Sequence, residues 1–183
     1  MRGSVLPHLL IINGLIWFAS FRFPELPLLF AVHKQGWGLK WWQILTYFFT
    51  HKSFWHILAN MLALWSLGTP VEAVLGKKRF LQLYLFAGIG SGVALAFLDP
   101  SPLPVLGAST SVSGILAAFA YFFPRSHLIL FPVPIPIAAK WLAVGFGILS
   151  LALFVWEPVM GGISHFGHLS GLILGWIYVR WLR

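Results

Sequence analysis

The sequence predicts an all-α membrane protein: six transmembrane helices in a single domain over residues 1–183, with a long, partly membrane-embedded first loop. Three observations predict it. The chain is 59% hydrophobic and 9% charged, where a soluble domain carries about 25% charged residues. Its mean hydropathy of +0.87 means more apolar surface than a 20.5 kDa protein can hide from water. Six apolar runs, 5–21, 54–75, 79–98, 107–123, 137–156 and 163–181, reach or approach the roughly 20 residues that a spanning helix needs.

The first run opens at Val5 after a single arginine and lacks a small-residue cleavage site, so it reads as a span rather than a signal peptide. Asn13 within it is expected to bond to a neighbouring helix. The connection that follows, "FRFPELPLLFAVHKQGWGLKWWQILTYFFTHKS", carries Pro24, Pro27 and several charges. Its segment "WWQILTYFF" is too short to span. It is rich in Trp and Tyr, which favour the headgroup level, and so reads as interfacial and partly embedded. Glu72 is expected to tie the end of the second span to a neighbouring helix or loop. The proline-rich pieces "DPSPLP" and "FPVPIP" read as loops between later spans. Gly88 and Gly92 lie four apart, as do Gly171 and Gly175. Such pairs let helix backbones approach closely, and they predict a compact bundle rather than an open pore.

The net charge of +8 does not indicate nucleic acid, because the cations lie between apolar runs and form no basic face. The absence of cysteine excludes disulfides and thiol catalysis. With six spans, Arg2, Lys77, Lys78, Arg79, Arg125, Lys140, Arg180 and Arg183 fall on one side, and Arg22, Lys34, Lys40 and Lys52 on the other. The positive-inside rule then predicts a multi-pass protein of the cell's inner (plasma) membrane, with both termini cytoplasmic and the long first loop outside.

Ionisable and polar groups at membrane depth are costly, and each is a functional candidate. His56 and Asn60 in "HILAN" share a helix face at a spacing of four. His165 and His168 open the last run, and Ser109, Ser111 and Ser113 in "GASTSVSG" open the fourth. If these three helix ends meet on the outer side, a hydroxyl, an imidazole and further donors converge. That set suits acyl transfer. A serine needs a base to take its proton, histidine titrates in the working range, and the tetrahedral intermediate needs donors for its oxyanion. A helix N-terminus supplies free N–H groups. The acids Glu25, Glu72, Asp99 and Glu157 lie at loops or span ends, so a serine–histidine dyad is expected rather than a triad. Serines in membrane helices also bond back to the preceding turn, and a lone histidine can serve a structural bond. Metal binding by His56, His165 and His168 is disfavoured, since no HExxH and no carboxylate stands at ligand spacing.

In order, these residues resemble the rhomboid intramembrane serine proteases, from about "WWQILTYFFTHKS" to the end. "HILAN" resembles the family's HxxxN motif, "LGAS" at Leu106–Ser109 its GxSG nucleophile motif, and "GHLSGLILG" its AHxxGxxxG pattern. The resemblance implies a six-helix core with a water-accessible cavity. It also implies cleavage of single-span transmembrane proteins near the membrane surface, with the lipid bilayer as solvent and no metal or organic cofactor. By carry-over, Ser109 is the nucleophile and His168 the general base, and His56, Asn60 and the Ser109 N–H form the oxyanion site. Two positions depart from the pattern. Thr110 stands where the family has glycine, and could crowd the oxyanion pocket or a packing contact. Ser113 stands where better-studied members carry an aromatic on the catalytic histidine, and is expected to pack on that ring in its place. "SVSG" also allows a second register with Ser113 as nucleophile. The alternative function is a catalytically silent relative that binds membrane-protein clients. A small transporter would need a polar path through both leaflets, which the one-sided clustering of polar residues disfavours. Oligomeric state is not legible.

Overall fold

The computed structural model describes residues 3–34, 36, 38–130, 133–156 and 163–182. It is mostly helical. In chain order these residues form α1 (Leu6–Arg22), α2 (Leu26–Phe30), α3 (Gln43–Thr46) running into a 3₁₀ turn (Tyr47–Phe49), and α4 (Phe54–Leu98). They continue with α5 (Ser109–Phe122), a hairpin of β1 (His127–Leu130) and β2 (Val133–Ala138), α6 (Ala139–Trp156) and α7 (His165–Trp181). Two helices among the described residues, α4 and α6, are long and apolar enough to cross a membrane; α1 and α5 are shorter apolar helices.

The expected second and third spans lie in one 45-residue run, α4, interrupted at Gly76 (φ 73°, ψ 160°). Only glycine adopts that backbone without a Cβ penalty. A straight helix would separate Gly68 and Phe80 by about 18 Å. Instead, a Cβ added at Gly68 would lie 3.1 Å from the Phe80 ring. The halves of α4 therefore fold back on each other at Gly76.

Glu72 links this hairpin to α1. Its carboxylate accepts from Ser4 Oγ (2.6 Å), the Val5 N–H (2.6 Å) and the Leu6 N–H (3.4 Å). The two N–H groups are orphan donors at a helix start, so a buried acid caps a helix more than sixty residues away in sequence, as expected of Glu72. Asn13, fully buried, turns its amide nitrogen to Leu9 O within α1 (2.8 Å) and sets its carboxamide beside the Tyr84 hydroxyl of α4.

α5 is the central helix and is buried from Thr110 to Phe119. It packs against α4 and α7 through small residues. A Cβ at Gly171 would collide with the Thr110 carbonyl, and one at Gly175 with the Gly114 backbone. A Cβ at Gly88 would meet Ser111 Oγ, and one at Gly92 the Tyr47 ring. The paired glycines thus serve close packing, as their spacing predicts. By contrast, α6 buries only Ala139 and Ser150.

One local expectation is refined and another is corrected. The second half of "WWQILTYFF" packs into the protein. Tyr47 is 0% and Phe48 1% exposed, and the Tyr47 hydroxyl finds a partner inside, donating to Gly88 O at 2.7 Å; Trp41 (73%) and Leu45 (43%) stay outside. "FPVPIP" is not simply a loop. Its described part belongs to β2, which pairs antiparallel with β1 as Leu128↔Ile137 and Ile129↔Pro136. A two-stranded ribbon has only edge strands, the place where a sheet tolerates proline. Phe131 and Pro132 lie outside the described residues.

Candidate active site

The site is built on the N-terminal turns of α4, α5 and α7. α5 begins after a tight entry at Gly107 (φ 123°), whose N–H donates to Tyr47 O at 2.9 Å. A Cβ at Gly107 would lie 2.6 Å from both Cε1 and Nε2 of His56. The imidazole therefore rests flush on the strand leading into Ser109, and no other residue fits there. The first helical bond of α5 runs from the Val112 N–H to Ala108 O (2.9 Å). The N–H groups of Ser109, Thr110 and Ser111 precede it and belong to the unpaired first turn. Ser109 itself is half-buried.

The hydrogen bonds of His56 assign its tautomer. Its Nδ1 accepts from the Lys52 N–H (3.4 Å), so in the neutral ring Nε2 carries the proton. Nε2 is also the atom against Gly107, which places an N–H donor beside the Ser109 turn. Ser53 caps this first turn of α4 by accepting from the His56 N–H. Asn60, one turn on and buried, donates from Nδ2 to His56 O (2.8 Å). One amide hydrogen is used in that bond, and the other has no partner among the described residues.

A third histidine joins the site without having been singled out in the sequence. His51 precedes α4, is 2% exposed, and stands edge-on to His56 at 5.0 Å between ring centroids. Its Nε2 accepts from the Ala108 N–H at 3.4 Å. Burial, reinforced by the neighbouring His56, lowers its pKa to about 3, so it is neutral at physiological pH. Nothing in "FFTHKS" signals this. The contact depends on the turn between the 3₁₀ element and α4, where helical periodicity gives no guidance.

His168 sits in the first turn of α7, which Ser164 caps by accepting from the Gly167 N–H (3.0 Å). A Cβ at Gly167 would meet the Thr110 methyl at 3.1 Å, and one at Gly171 the Thr110 carbonyl and Ser113 Cβ. The turns carrying Ser109 and His168 are thus packed side by side. No hydrogen bond joins Ser109 Oγ to His168 among the described residues, an arrangement common in catalytic pairs without substrate. The His168 ring is flanked by Phe146 of α6 (centroids 5.3 Å, 35° between planes) and by His165 (6.2 Å, 82°).

Both departures from the family pattern find a structural explanation. Thr110 occupies a packing contact between α5 and α7. It is 1% exposed, with its methyl on Gly167 and its Oγ1 2.9 Å from the Tyr47 hydroxyl. Since Tyr47 donates its proton to Gly88 O, Thr110 is the donor to Tyr47. At Ser113 the hydroxyl is taken up within its own helix. Its Oγ donates back to Ser109 O (2.7 Å) and its Cβ faces Gly171, while the ring against His168 comes from Phe146.

Comparison with known proteins agrees with this geometry. A rhomboid domain matches residues 38–183. The chain is 35% identical over 144 residues to "Rhomboid protein 1, mitochondrial" of Saccharomyces cerevisiae, covering 71% of this chain and 38% of that protein. It is 36% identical over 138 residues to "Rhomboid protease GluP" of Bacillus subtilis (74% and 25%). It is 30% identical over 142 residues to "Presenilin-associated rhomboid-like protein, mitochondrial" of Homo sapiens (73% and 36%). The alignments thus take in well under half the length of each relative. The domain match and these identities over most of the sequence agree with the three motif-bearing helix starts gathered in one place: the chain belongs to the rhomboid family of membrane proteins.

Proposed function

We propose that this protein is an intramembrane serine endopeptidase that cleaves transmembrane segments of single-span membrane proteins. The observation that carries the reading is the convergence of three helix N-termini at Ser109. The His56 ring lies on Gly107, and Gly167, the neighbour of His168, lies on Thr110. In this reading Ser109 Oγ attacks the scissile carbonyl while His168 takes its proton; His168 gives that proton to the leaving amine as the C–N bond breaks, and a water deprotonated by His168 then hydrolyses the acyl ester and restores the Ser109 hydroxyl. The His56 Nε2–H, the free Asn60 amide hydrogen and the Ser109 N–H stabilise the oxyanion. The fold-back of α4 at Gly76 supports counting six membrane segments: α1, two from α4, α5, α6 and α7. With those reversals the proposed site and the cluster Lys77, Lys78 and Arg79 fall at opposite ends of the bundle, which supports this reading through the positive-inside rule. A substrate helix must expose an amide to be cut, so segments with small or helix-breaking residues are the expected targets.

The test is reaction of the lipid-reconstituted protein with a serine-directed fluorophosphonate, together with cleavage of a panel of single-span proteins. Labelling that maps to Ser109 and vanishes in Ser109→Ala, with Ser113→Ala still labelled, supports the assignment. A labelled peptide at Ser113 overturns the register. Absence of both labelling and cleavage supports the silent, client-binding alternative. Asn60→Ala separates roles within the site: loss of an oxyanion donor costs about 10²–10³ in rate with little change in thermal stability.

A further inference from the structure

The base in this site must hold its ring in one orientation, yet position 113, where the family pattern supplies an aromatic for that purpose, holds a serine. Ser113 is committed elsewhere: its hydroxyl donates to Ser109 O at 2.7 Å and its Cβ faces Gly171. A serine has no ring to lay against the imidazole. The ring against His168 is Phe146, with centroids 5.3 Å apart and planes 35° apart. It arrives from α6, a different helix. Two turns further along α6, Phe154 meets Phe166 in the first turn of α7 at 5.3 Å and 44°. Elsewhere α6 buries only Ala139 and Ser150. The aromatic pairs are thus a main seat of α6 on the start of α7, and one of them bears directly on the candidate base.

We infer that Phe146 is a positioning residue for His168, supplying from α6 the aromatic support that Ser113 cannot give. This inference rests on the protease reading above. The χ2 torsion of an imidazole is broad and roughly two-fold, so the ring is oriented mainly by what lies against its face. Neither ring nitrogen of His168 has a hydrogen-bond partner among the described residues, so packing is what holds it. A tilt of the ring moves the proton-accepting nitrogen away from Ser109, and misplacement on the scale of 1 Å costs catalysis up to about 10²-fold. Substrate binding, which does not use the base, should be unaffected.

The experiment compares Phe146→Ala, Phe146→Leu and Phe146→Tyr in the lipid-reconstituted full chain by three readouts: kcat and KM measured separately, fluorophosphonate labelling, and the ring-current shift of the His168 imidazole protons by NMR. Phe146→Ala is expected to lower kcat about tenfold, the scale of one aromatic pair, with KM within about twofold and the ring-current shift lost. Phe146→Tyr keeps the ring and should keep both kcat and shift. Phe146→Leu keeps volume without a ring and should resemble Phe146→Ala, which separates positioning from cavity formation should the alanine variant fold poorly. Wild-type kcat in Phe146→Leu, or equal loss in Phe146→Tyr and Phe146→Leu, overturns the inference. So does a rise in KM with kcat unchanged. If the wild-type chain neither cleaves nor labels, the protease reading is what fails. The NMR arm then decides the contact alone, and an unchanged His168 shift in Phe146→Ala refutes it.

Discussion

The His56 ring and Gly107 are in direct contact: a Cβ added to Gly107 would lie 2.6 Å from His56 Nε2. The backbone there is also left-handed, at φ 123°. Gly107→Ala therefore meets two obstacles at once, a strained φ and displacement of the His56 ring, the proposed oxyanion donor. The expected outcome is at least a 10²-fold loss of fluorophosphonate labelling at Ser109, accompanied by lower thermal stability. Wild-type labelling in Gly107→Ala would show that neither the contact nor the turn matters for reactivity.

The tight α5–α7 crossing and the looser α6–α7 contact predict opposite results for two glycine substitutions. At Gly171 a methyl group runs into the Thr110 carbonyl, and backbone cannot swing aside as a side chain can. Gly171→Ala should cost about 1–3 kcal/mol or more. At Gly147 a methyl would make only ordinary contact, 3.5 Å from Leu172 Cδ1. Gly147→Ala should be neutral, or stabilising by about 0.5–1 kcal/mol through lower chain entropy. Thermal unfolding of both variants in the same lipid checks the contrast.

Thr110→Gly restores the family's residue, yet the structure predicts no gain in activity. The Thr110 side chain points to Tyr47 and Gly167, away from the His56 face. Its removal deletes a buried hydrogen bond and opens a small cavity, with an expected cost of about 1–3 kcal/mol and a labelling rate within a few-fold of wild type. Thr110→Ser, which keeps the hydroxyl, should recover part of the stability. A tenfold rise in labelling of Thr110→Gly would mean that the threonine does obstruct the site.

His51 makes stability depend on pH in a predictable direction. Its folded pKa, about 3, lies below the ordinary histidine value of 6.5. Between these values the unfolded chain binds a proton that the folded chain does not. Its contribution is therefore fully present above pH 6.5 and is lost as pH falls toward 3. The slope approaches one proton, about 1.4 kcal/mol per pH unit at most. His51→Phe should flatten the dependence over that window. An unchanged slope in that variant would place the titration elsewhere.

Much of the architecture is legible in the sequence because a bilayer leaves few choices. A run of apolar residues must satisfy its own backbone as a helix, so helix positions follow from hydropathy alone. Those expected at 5–21, 79–98 and 163–181 appear within a few residues of their predicted places. The candidate residues Ser109, His168, His56 and Asn60 stand out for the same reason, since polar groups are conspicuous where hydrocarbon is expected. The "FPVPIP" hairpin was not legible, because prolines mark strand edges and loops alike.

What only the tertiary structure decided are the contacts between segments distant in sequence. Composition and periodicity assign a residue to an element and a face; they do not say which other element meets that face. Hence His51 at the Ala108 N–H, Phe146 on His168 and Tyr47 buried beneath Thr110 became visible only once α3, α5, α6 and α7 were packed. The two unusual residues of "GASTSVSG" make the same point. By itself the sequence determined that Thr110 and Ser113 break a family pattern. Packing decided that the first is accommodated by Gly167 and Tyr47, and that the aromatic missing at the second is supplied by another helix. The physical reason is that close packing depends on the shapes of both partners, and a single linear sequence does not name the second partner.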